Sequence, residues 1–485
     1  MKHTRRLRVA VIGAGASGVM AYVKLKQHGH DDVQLFDKGD DFGGTWRDNT
    51  YPGLACDVPS HLYRYSFEPY AEWSRVCSSG PEILSYFKAV AGKHEVGRAT
   101  EFGVEVLGAE FLEGCWYLET SKGPRGPFDA VVSAMGILRF PLYPDIAGRD
   151  AFAGASFHAS RWDHSVALAG KRVGVIGTGS TAIQIVSATV DTVGELKMFQ
   201  RTAQWIMPLP NKAIPEETKQ RYRSDRAALE MEYARLADAF NGRFAAAVVG
   251  DNPEAYDRIA RQCREHLATV RDPDLRARLT PDYEVGCKRL IMSDSFYEAI
   301  QRRNATLVTE RIERIMPEGV LTSEGRLHAL DVIVFATGYD AHTFVAPMEV
   351  RGRDGLSLAE AWADAAEAYL GVTVPGFPNW FMIGGPNSPI GNFSFIMTAE
   401  RQFGYALALI DRLADDLREV SPTPEATKRF NEAIKAKMPD TIWVSGCRSW
   451  YMDRNGNIAS WPWNYERFEA EMREPDLDHF EIVRQ

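Results

Sequence analysis

The sequence predicts an α/β fold that contains two similar units and a helical insertion, and three observations support this prediction. Residues 9–18 (VAVIGAGASG) and 173–182 (VGVIGTGSTA) are near copies of each other. The segments 128–138 and 330–340 form a second pair of copies, and residues 212–284 have a different, helix-favouring composition. A strand–turn–helix pattern that occurs twice predicts that the chain builds the same supersecondary unit twice.

Each member of the first pair is a run of small and β-branched residues that ends in a GxGxx(G/A) turn and continues with helical spacing. This pattern predicts the Rossmann-like arrangement, in which glycine lets the backbone approach a pyrophosphate and the helix N-terminus presents unpaired N–H groups. One such motif is a weak signal, but two copies in a strand-rich context are stronger. The residues expected at the two pyrophosphates are Gly13, Gly15 and Gly18 in the first unit and Gly177, Gly179, Ser180 and Thr181 in the second.

The end of the next predicted strand differs between the two units. In the first unit it is Asp37, followed by Lys38, and a carboxylate here can accept hydrogen bonds from an adenosine ribose. In the second unit Arg201, followed by Thr202, stands at the same spacing from the glycine turn, and a guanidinium suits a 2′-phosphate. The first site is therefore predicted to bind an unphosphorylated dinucleotide and the second NADPH. The alternative, that Asp37 and Arg201 are solvated turn residues, stays open.

The second pair of copies, FDAVVSAMGIL and LDVIVFATGYD, predicts two buried strands that return the chain from one unit to the other. We therefore expect the first domain to comprise residues 1–147 and 330–485, and the second to comprise residues 148–211 and 285–329.

Residues 212–284 are rich in Ala, Leu, Glu and Arg, with apolar residues at helical spacing. This pattern predicts a helical insertion. Two roles are open for it: the wall of a substrate cavity, or a passive bundle on the surface.

The composition is that of a globular protein, with 485 residues, 45% hydrophobic and 25% charged residues, and a net charge of −9. The absence of a basic block disfavours a nucleic-acid or membrane partner, and no stretch approaches the ~20 apolar residues of a membrane-spanning helix. The six cysteines lie far apart and form no CxxC pair, so neither a zinc site nor a dithiol redox motif is predicted. We expect no metal, and the cysteine usage predicts a cytoplasmic protein.

Two dinucleotide sites in one chain predict an electron path. NADPH beside a second dinucleotide suggests hydride transfer from nicotinamide to a flavin, so we assign FAD to the first domain and NADPH to the second. Residues 43–57, GGTWRDNTYPGLACD, support a flavin, because a glycine pair can pass close to a ring system. The residues expected at the flavin are Gly44, Thr45, Trp46 and Asp57. A glycine–aromatic loop that serves packing alone is the alternative.

The predicted linker between the domains holds the stretch FAGASFHASRWD, residues 152–163. It resembles the FxGxxxHxxx(W)(P/D) motif of type I Baeyer–Villiger monooxygenases, a group within the flavin-containing monooxygenases. The matching residues are Phe152, Gly154, His158, Trp162 and Asp163. Residues 43–57 resemble the GGxWxxxxYPGxxxD motif of the same family, and FQRT and ATGYD also have counterparts there. The resemblance covers most of the chain.

The resemblance implies roles for individual residues. The linker motif with His158 is expected to seat against both domains and couple their movements, the alternative being a purely structural histidine. In the segment 284–297, EVGCKRLIMSDSFY, Arg289 is expected to stabilise a C4a-peroxyflavin and its ketone adduct, with Asp57 as its catalytic partner. Lys288 is expected to hold the NADPH phosphate. The alternative for both basic residues is a surface pair.

Two further loops are expected near the substrate. TIWVSGCRSWYMDRNGN resembles the family's substrate-side loop, in which Trp450 is expected to offer its indole N–H to the NADPH ribose or to the substrate. The continuation MDRNGN departs from the family pattern, which puts the identity of the substrate in doubt. The segment 384–395, GGPNSPIGNFSF, either closes over the flavin or is a structural loop.

The function implied is the NADPH- and O2-dependent conversion of a small ketone to an ester or lactone, carried out by a monomer or small homo-oligomer. The alternative is an N- or S-oxygenating monooxygenase that acts on amines or sulfides. A disulfide-reducing flavoenzyme would need a CxxC pair, which the sequence lacks. A non-catalytic flavin-binding protein would leave the second nucleotide site without a use.

Overall fold

The computed structural model describes residues 3–485. The strands are β1 (Arg8–Ile12), β2 (Asp32–Asp37), β3 (Thr100–Phe102), β4 (Val106–Leu112), β5 (Cys115–Thr120), β6 (Arg125–Phe128), β7 (Ala130–Ser133), β8 (Ala155–His158), β9 (Arg172–Ile176), β10 (Glu195–Phe199), β11 (Ile206–Met207), β12 (Ile291–Met292), β13 (Ala305–Val308), β14 (Ile312–Met316), β15 (Gly319–Thr322), β16 (Leu327–Ala329), β17 (Val332–Phe335), β18 (Glu349–Arg351), β19 (Trp380–Met382), β20 (Leu417–Pro422) and β21 (Phe480–Arg484). The α-helices are α1 (Ala16–Gln27), α2 (Thr45–Asp48), α3 (Gly80–Lys93), α4 (Ser180–Thr189), α5 (Glu216–Ser224), α6 (Arg226–Ala237), α7 (Ala246–Val248), α8 (Pro253–Leu267), α9 (Pro273–Leu279), α10 (Phe296–Ala299), α11 (Leu358–Ala361), α12 (Phe395–Asp415), α13 (Pro424–Lys437) and α14 (Tyr465–Glu471).

The first glycine-rich turn joins β1 to α1 at the carboxyl end of β1. Strand β1 is the central strand of a parallel five-stranded sheet with the order β19-β7-β1-β2-β3. Val11 on β1 is in register with Leu35 on β2 and with Val132 on β7, and all three are fully buried. A sheet covered on both faces needs apolar side chains on both faces of each strand, which explains the unbroken apolar runs of β1 and β7.

The second glycine-rich turn joins β9 to α4 in a second parallel sheet, in the order β13-β10-β9-β17-β8. Strand β9 takes the place of β1, β10 that of β2 and β17 that of β7. The predicted fold class, an α/β protein with two Rossmann-like units and a helical segment, is confirmed.

The two glycine turns are alike in detail. Gly13 has φ +105° and Gly177 has φ +128°, a backbone conformation that L side chains rarely adopt. A Cβ at Gly13 would lie 2.6 Å from the carbonyl oxygen of Ala134, and a Cβ at Gly177 would meet that of Ala336 more closely still. In both units the turn therefore needs glycine because the neighbouring strand end, β7 or β17, passes directly against it.

One expected domain boundary differs in the structure. Strand β17 pairs with β8 and β9, so the chain leaves the second sheet only after Phe335, and not at residue 330. The reason is that β17 closes its own unit in the same way that β7 closes the first. The first sheet is completed later in the chain, by β19.

The segment 212–284 is helical, as predicted. It contains α5 to α9 and a π-helical stretch, Asp238–Ala245, between α6 and α7. Across residues 3–485, no helix combines the length and apolar character needed to cross a membrane.

Candidate active site

A cavity of about 1560 Å³ lies between the two glycine turns and reaches the segment that carries Arg289. It brings together most of the residues expected at the cofactors. These are Gly13, Gly15, Asp37, Lys38, Gly44, Thr45, Trp46, Asp57, Gly177, Gly179, Ser180, Thr181, Arg201, Thr202, Lys288, Arg289 and Trp450. Gly18 and the five residues of the linker motif do not line it.

The first glycine turn forms a cradle that suits a flavin dinucleotide. A Cβ at Gly44 would lie 3.1 Å from the Cα of Gly15, so the backbones of these two glycines are in contact. A side chain at either position would occupy the space that a dinucleotide needs. Gly18 lies in the first turn of α1, where a Cβ would clash with the carbonyl oxygen of Gly13. The residues present therefore fit FAD, because a bare backbone at a helix N-terminus is what a pyrophosphate requires.

Asp37 holds this turn from the end of β2. Its Oδ2 accepts the N–H of Ala14 at 2.7 Å, and its Oδ1 accepts the N–H of Gly39 at 2.7 Å. Arg47 Nη1 lies 3.0 Å from the same Oδ1. The carboxylate thus shapes the loop, and the contact to a ribose that the sequence predicts remains a prediction.

The second glycine turn faces two cations. Burial and the neighbouring charge of Arg201 lower the pKa of Lys288, whose ammonium lies 4.8 Å from the ring centre of Tyr283. Neither Arg201 nor Lys288 forms an ion pair with a carboxylate anywhere in residues 3–485. Two like charges that face one cavity, with no carboxylate at ion-pair distance in the described residues, suit a phosphorylated ligand, so these residues fit NADPH.

The loop 43–57 connects the two units. Tyr51 Oη donates to Gln184 Oε1 on α4 at 2.9 Å, and Gln184 Nε2 donates to the carbonyl oxygen of Ala55 at 2.9 Å. Gly53, with φ +82°, passes so close to α4 that a Cβ would lie 2.6 Å from the carbonyl oxygen of Gln184. The YPG portion of the motif therefore serves as the contact between the two nucleotide units.

Arg289 and Asp57 meet inside the cavity. Arg289 Nη2 donates to Asp57 Oδ2 at 2.6 Å, with 31% and 21% of their side chains exposed. The charge of Asp57 raises the pKa of the Arg289 guanidinium above its ordinary value despite burial, so this cation keeps its charge at every pH the protein tolerates.

Sequence reasoning missed two neighbours of Arg289. A Cβ at Gly391 would lie 2.5 Å from Tyr451 Oη and 2.9 Å from Arg289 Nη1, so both side chains reach the same point of the backbone. Burial raises the pKa of Tyr451 to about 12 while Arg289 opposes the rise, which leaves a neutral phenol beside the cation. The available signals were the adjacency of Tyr451 to Trp450 and the position of Gly391 in the segment 384–395, which the sequence placed near the flavin.

The loop that carries Trp450 is tied covalently to the Arg289 segment. Cys287 and Cys447, 160 positions apart, form a disulfide. The cysteine spacing contained no signal of this pairing, because folding brings together two residues that are far apart in the sequence. Trp450 is 36% exposed, and its ring packs on Tyr451 with the ring centres 4.6 Å apart.

The central residue of the linker motif, His158, is buried and neutral. It is 1% exposed, and its Nδ1 accepts the N–H of Ser160 at 3.1 Å. The edges of its ring meet Tyr143 and Tyr339, with ring centres 5.4 and 5.9 Å away. Burial lowers the pKa of His158 to about 4, so the imidazole carries no charge at neutral pH.

The other motif residues fasten the linker to the second sheet. A Cβ at Gly154 would clash with the carbonyl oxygen of Asp331 and lie 2.7 Å from the ring of Phe152. The ring of Trp162 packs edge-on against Phe157 at 5.0 Å. Asp163 Oδ1 accepts the N–H of Ser165 at 2.9 Å, which closes the following turn.

Apolar side chains close the cavity from two directions. Phe240 comes from the π-helical stretch, while Ile390 and Phe395 come from the segment 384–395. Of the alternatives left open by the sequence, both the helical insertion and this segment therefore contribute to the cavity wall.

One group of possible metal ligands, His3, His30 and Asp411, is found in the described part of the chain, away from the cavity. His3 Nε2 lies 2.9 Å from the carbonyl oxygen of His28 and must donate to it, which makes this nitrogen unfit as a ligand. His30 Nε2 lies 2.8 Å from Asp411 Oδ1. The group is a hydrogen-bonded network, and the expectation that no metal is needed stays a prediction.

Comparisons with known proteins agree with this fold. Residues 11–79 match the family model of an NAD(P)-binding Rossmann-like domain. Together with the second unit and the shared cavity, this match defines a protein with two dinucleotide-binding units. The chain is 42% identical to an uncharacterized monooxygenase of Mycobacterium tuberculosis, with 98% of this chain and 97% of that protein covered.

The relationship extends to proteins of named activity. The chain is 37% identical to a Baeyer–Villiger monooxygenase of Pseudomonas aeruginosa, with 99% of this chain and 92% of that protein covered. It superimposes on oxidized steroid monooxygenase bound to NADP with a TM-score of 0.88 at 29% identity, covering 99% and 100% of the two chains. The chain belongs to the Baeyer–Villiger monooxygenases.

This membership confirms several predictions. The protein is a flavin-dependent monooxygenase of the Baeyer–Villiger type, and its cofactors are FAD and NADPH, in line with relatives named FAD-binding monooxygenases and with related structures that hold FAD and NADP. The alternative of N- or S-oxygenation is not favoured by any of these relatives.

Proposed function

We propose that the enzyme converts small apolar ketones to esters or lactones, with Arg289 as the catalytic cation and Asp57 as the residue that positions it. The observation that carries this proposal is the Arg289–Asp57 contact of 2.6 Å inside a cavity shared by both glycine turns. Bound FAD, reduced by NADPH, supplies the activation of dioxygen.

Arg289 contributes a fixed positive charge in a partly desolvated site. Such a charge stabilises a developing oxyanion more strongly than it would in water, because the local dielectric constant is low and little reorganisation is needed. Asp57 accepts a hydrogen bond from Nη2 of the guanidinium. The other nitrogen, Nη1, lies near Gly391 and Tyr451 and does not take part in that contact. The pair thus holds one cationic edge in place.

The other cavity residues that the sequence assigned to cofactors divide into two groups. We propose that FAD is held by Gly13, Gly15, Asp37, Lys38, Gly44, Thr45 and Trp46. We propose that NADPH is held by Gly177, Gly179, Ser180, Thr181, Arg201, Thr202, Lys288 and Trp450. The placement of β17 supports an FAD-binding domain of residues 1–147 and 336–485 and an NADPH-binding domain of residues 148–211 and 285–335. The linker motif is proposed to couple the two, since His158 is neutral and does not suit proton transfer at pH 7.

A ketone without charged groups fits the wall formed by Phe240, Ile390 and Phe395. The names of related solved structures, cyclohexanone monooxygenase and steroid monooxygenase, support a ketone but span a wide range of sizes. A cytoplasmic location and a monomer or small homo-oligomer are part of the proposal.

The test uses the purified FAD-loaded protein with NADPH, air and a panel of cyclic, aryl and linear ketones plus one thioether, analysed by gas chromatography. Ester or lactone formation from at least one ketone class is expected. Sulfoxide as the sole product, with no ester from any ketone, would overturn the proposal and favour heteroatom oxygenation.

A further inference from the structure

The disulfide lies next to the catalytic segment. Cys287 is fully buried and stands two positions before Arg289. A Cβ at Gly286 would lie 3.5 Å from Ile442 Cγ2, so the backbone before Arg289 packs directly on the chain that leads to Cys447. The bond therefore joins two segments that touch, and one of them carries Arg289.

The other partner belongs to a loop with few backbone ties. Residues 441–464, between α13 and α14, contain only the 3-10 turn Ile442–Val444 and one isolated bridge between Met452 and Ile458. Polar contacts to the rest of the molecule include His342 Nε2 with the carbonyl oxygen of Trp450, at 2.9 Å. Trp443, Ile458 and Trp461 anchor the two ends of this loop in the hydrophobic core, whereas residues 444–457 are mostly exposed apart from Cys447 and Tyr451. This exposed middle stretch opens at a lower free-energy cost than the core, so a covalent tie within it has a large effect on its position.

The loop also carries the two aromatic residues that reach the site. Tyr451 Oη and Arg289 Nη1 converge on Gly391, and Trp450 lines the cavity. Cys447 stands three positions before Trp450, so the disulfide fixes the base of the very segment that presents both rings.

The other buried cysteines are chemically quiet. Burial raises the pKa of Cys56, Cys77 and Cys263, which keeps them as protonated, unreactive thiols. Cys447, at 6% exposure, adjoins the exposed residues Gly446 and Arg448. An attacking thiolate from solvent therefore reaches the sulfur of Cys447 before it reaches the sulfur of Cys287. Disulfides inside cells are typically transient or regulatory.

We propose that the Cys287–Cys447 bond is a redox-sensitive clamp that holds Trp450 and Tyr451 against the Arg289 segment, and that a small or protein dithiol releases it. Two thiols of the reductant become a disulfide, their two electrons break the Cys287–Cys447 bond, and two protons end on the freed sulfurs. Release lets the loop swing away from Arg289, so NADPH oxidation continues while oxygen transfer to the ketone falls.

The test first counts thiols by alkylation and mass spectrometry of the denatured, full-length holoenzyme. Four alkylated cysteines are expected without reductant and six after dithiothreitol. Limited trypsin digestion then reports the loop directly through cleavage after Arg448 and Arg454, which should become about tenfold faster after reduction because the loop opens more often. Six alkylated cysteines without reductant would overturn the proposal.

The functional readout is hydrogen peroxide released per NADPH consumed, with and without dithiothreitol. We expect the ratio to rise in reduced wild type, to be high and insensitive to dithiothreitol in Cys447→Ser, and to respond like wild type in the control Cys115→Ser. An unchanged digestion rate after reduction, or a Cys447→Ser protein that still responds to dithiothreitol, contradicts the clamp. Only the peroxide ratio depends on the proposed role of Arg289. A failure of that role therefore leaves the thiol count and digestion results intact, which separates the two proposals.

Discussion

Arg289 and Asp57 stand 232 positions apart in the chain, yet the guanidinium Nη2 of one lies 2.6 Å from the Oδ2 of the other. Asp57 ends the loop that joins the two nucleotide units, while Arg289 comes two positions before β12. The contact therefore places a cation from the second unit beside the flavin-side loop of the first.

Replacing Arg289 by alanine should leave flavin reduction by NADPH measurable but lower ester formation by about 10²–10³-fold, the loss typical of a missing oxyanion donor. Stopped-flow absorbance measures the reduction, and gas chromatography measures the ester. Arg302→Ala, which removes an exposed arginine paired with Asp191, is the control. A normal ester yield in Arg289→Ala would remove this residue from the mechanism.

Asp57→Asn keeps the shape of the side chain but removes the charge that orients Arg289. We expect kcat for ester formation to fall by about tenfold to a hundredfold, the range for losing a hydrogen bond to a charged group, with little change in KM for NADPH. A rise in KM for NADPH as large as the fall in kcat would mean that Asp57 acts on cofactor binding and not on Arg289.

Arg201→Ala and Lys288→Ala should each raise KM for NADPH by about tenfold to a hundredfold. Both variants should barely change KM for NADH, because NADPH carries the 2′-phosphate and NADH does not. Since each cation affects the other, the double variant should lose less than the product of the two single effects. An unchanged preference between the two coenzymes would show that these residues do not read the phosphate.

Gly53→Ala should destabilise the protein more than Gly123→Ala. Both glycines have positive φ, +82° and +89°, so both changes carry a strain of about 1–2 kcal/mol. Only at Gly53 does the new Cβ also press on the carbonyl oxygen of Gln184, since nothing lies within 4 Å at Gly123. Thermal unfolding of the FAD-loaded variants measures the difference, and equal melting temperatures would contradict the packing of the loop on α4.

His158→Gln should flatten the loss of stability in acid. The folded-state pKa of about 4 lies below the unfolded value of about 6.5, so the unfolded chain binds the extra proton between these values and stability falls as pH drops through that window. The histidine contributes up to about 3 kcal/mol of this loss. Melting temperatures from pH 7 to pH 4 should decline less steeply in His158→Gln than in wild type or in the surface variant His164→Gln.

The sequence predicted what local patterns encode. The two glycine turns, the differing residues Asp37 and Arg201, and the helical segment all follow from spacing within short stretches, and the structure brings the two turns to one cavity. The placement of β17 was also within reach, because its likeness to β7 already indicated that it closes the second sheet.

Other features could not be predicted from the sequence alone. The convergence of Tyr451 and Arg289 on Gly391, and the pairing of Cys287 with Cys447, join residues from distant segments, and no pattern within a single segment records such a contact. Likewise, Phe240 lines the cavity from a π-helical stretch, which helical periodicity in the sequence did not distinguish from an ordinary α-helix. Long-range packing decides such contacts, and propensity and periodicity do not record it.

The strand order has a consequence for biosynthesis. Every strand of the second sheet has been made once Phe335 is synthesised, whereas the first sheet waits for β19 at Trp380, and the long helix α12 that packs against α1 follows later still. During translation the coenzyme-binding unit can thus close while the N-terminal strands still lack a partner at one edge. We expect the nascent flavin-binding half to be the portion most exposed to aggregation, and the most in need of chaperones, until the ribosome has passed α12.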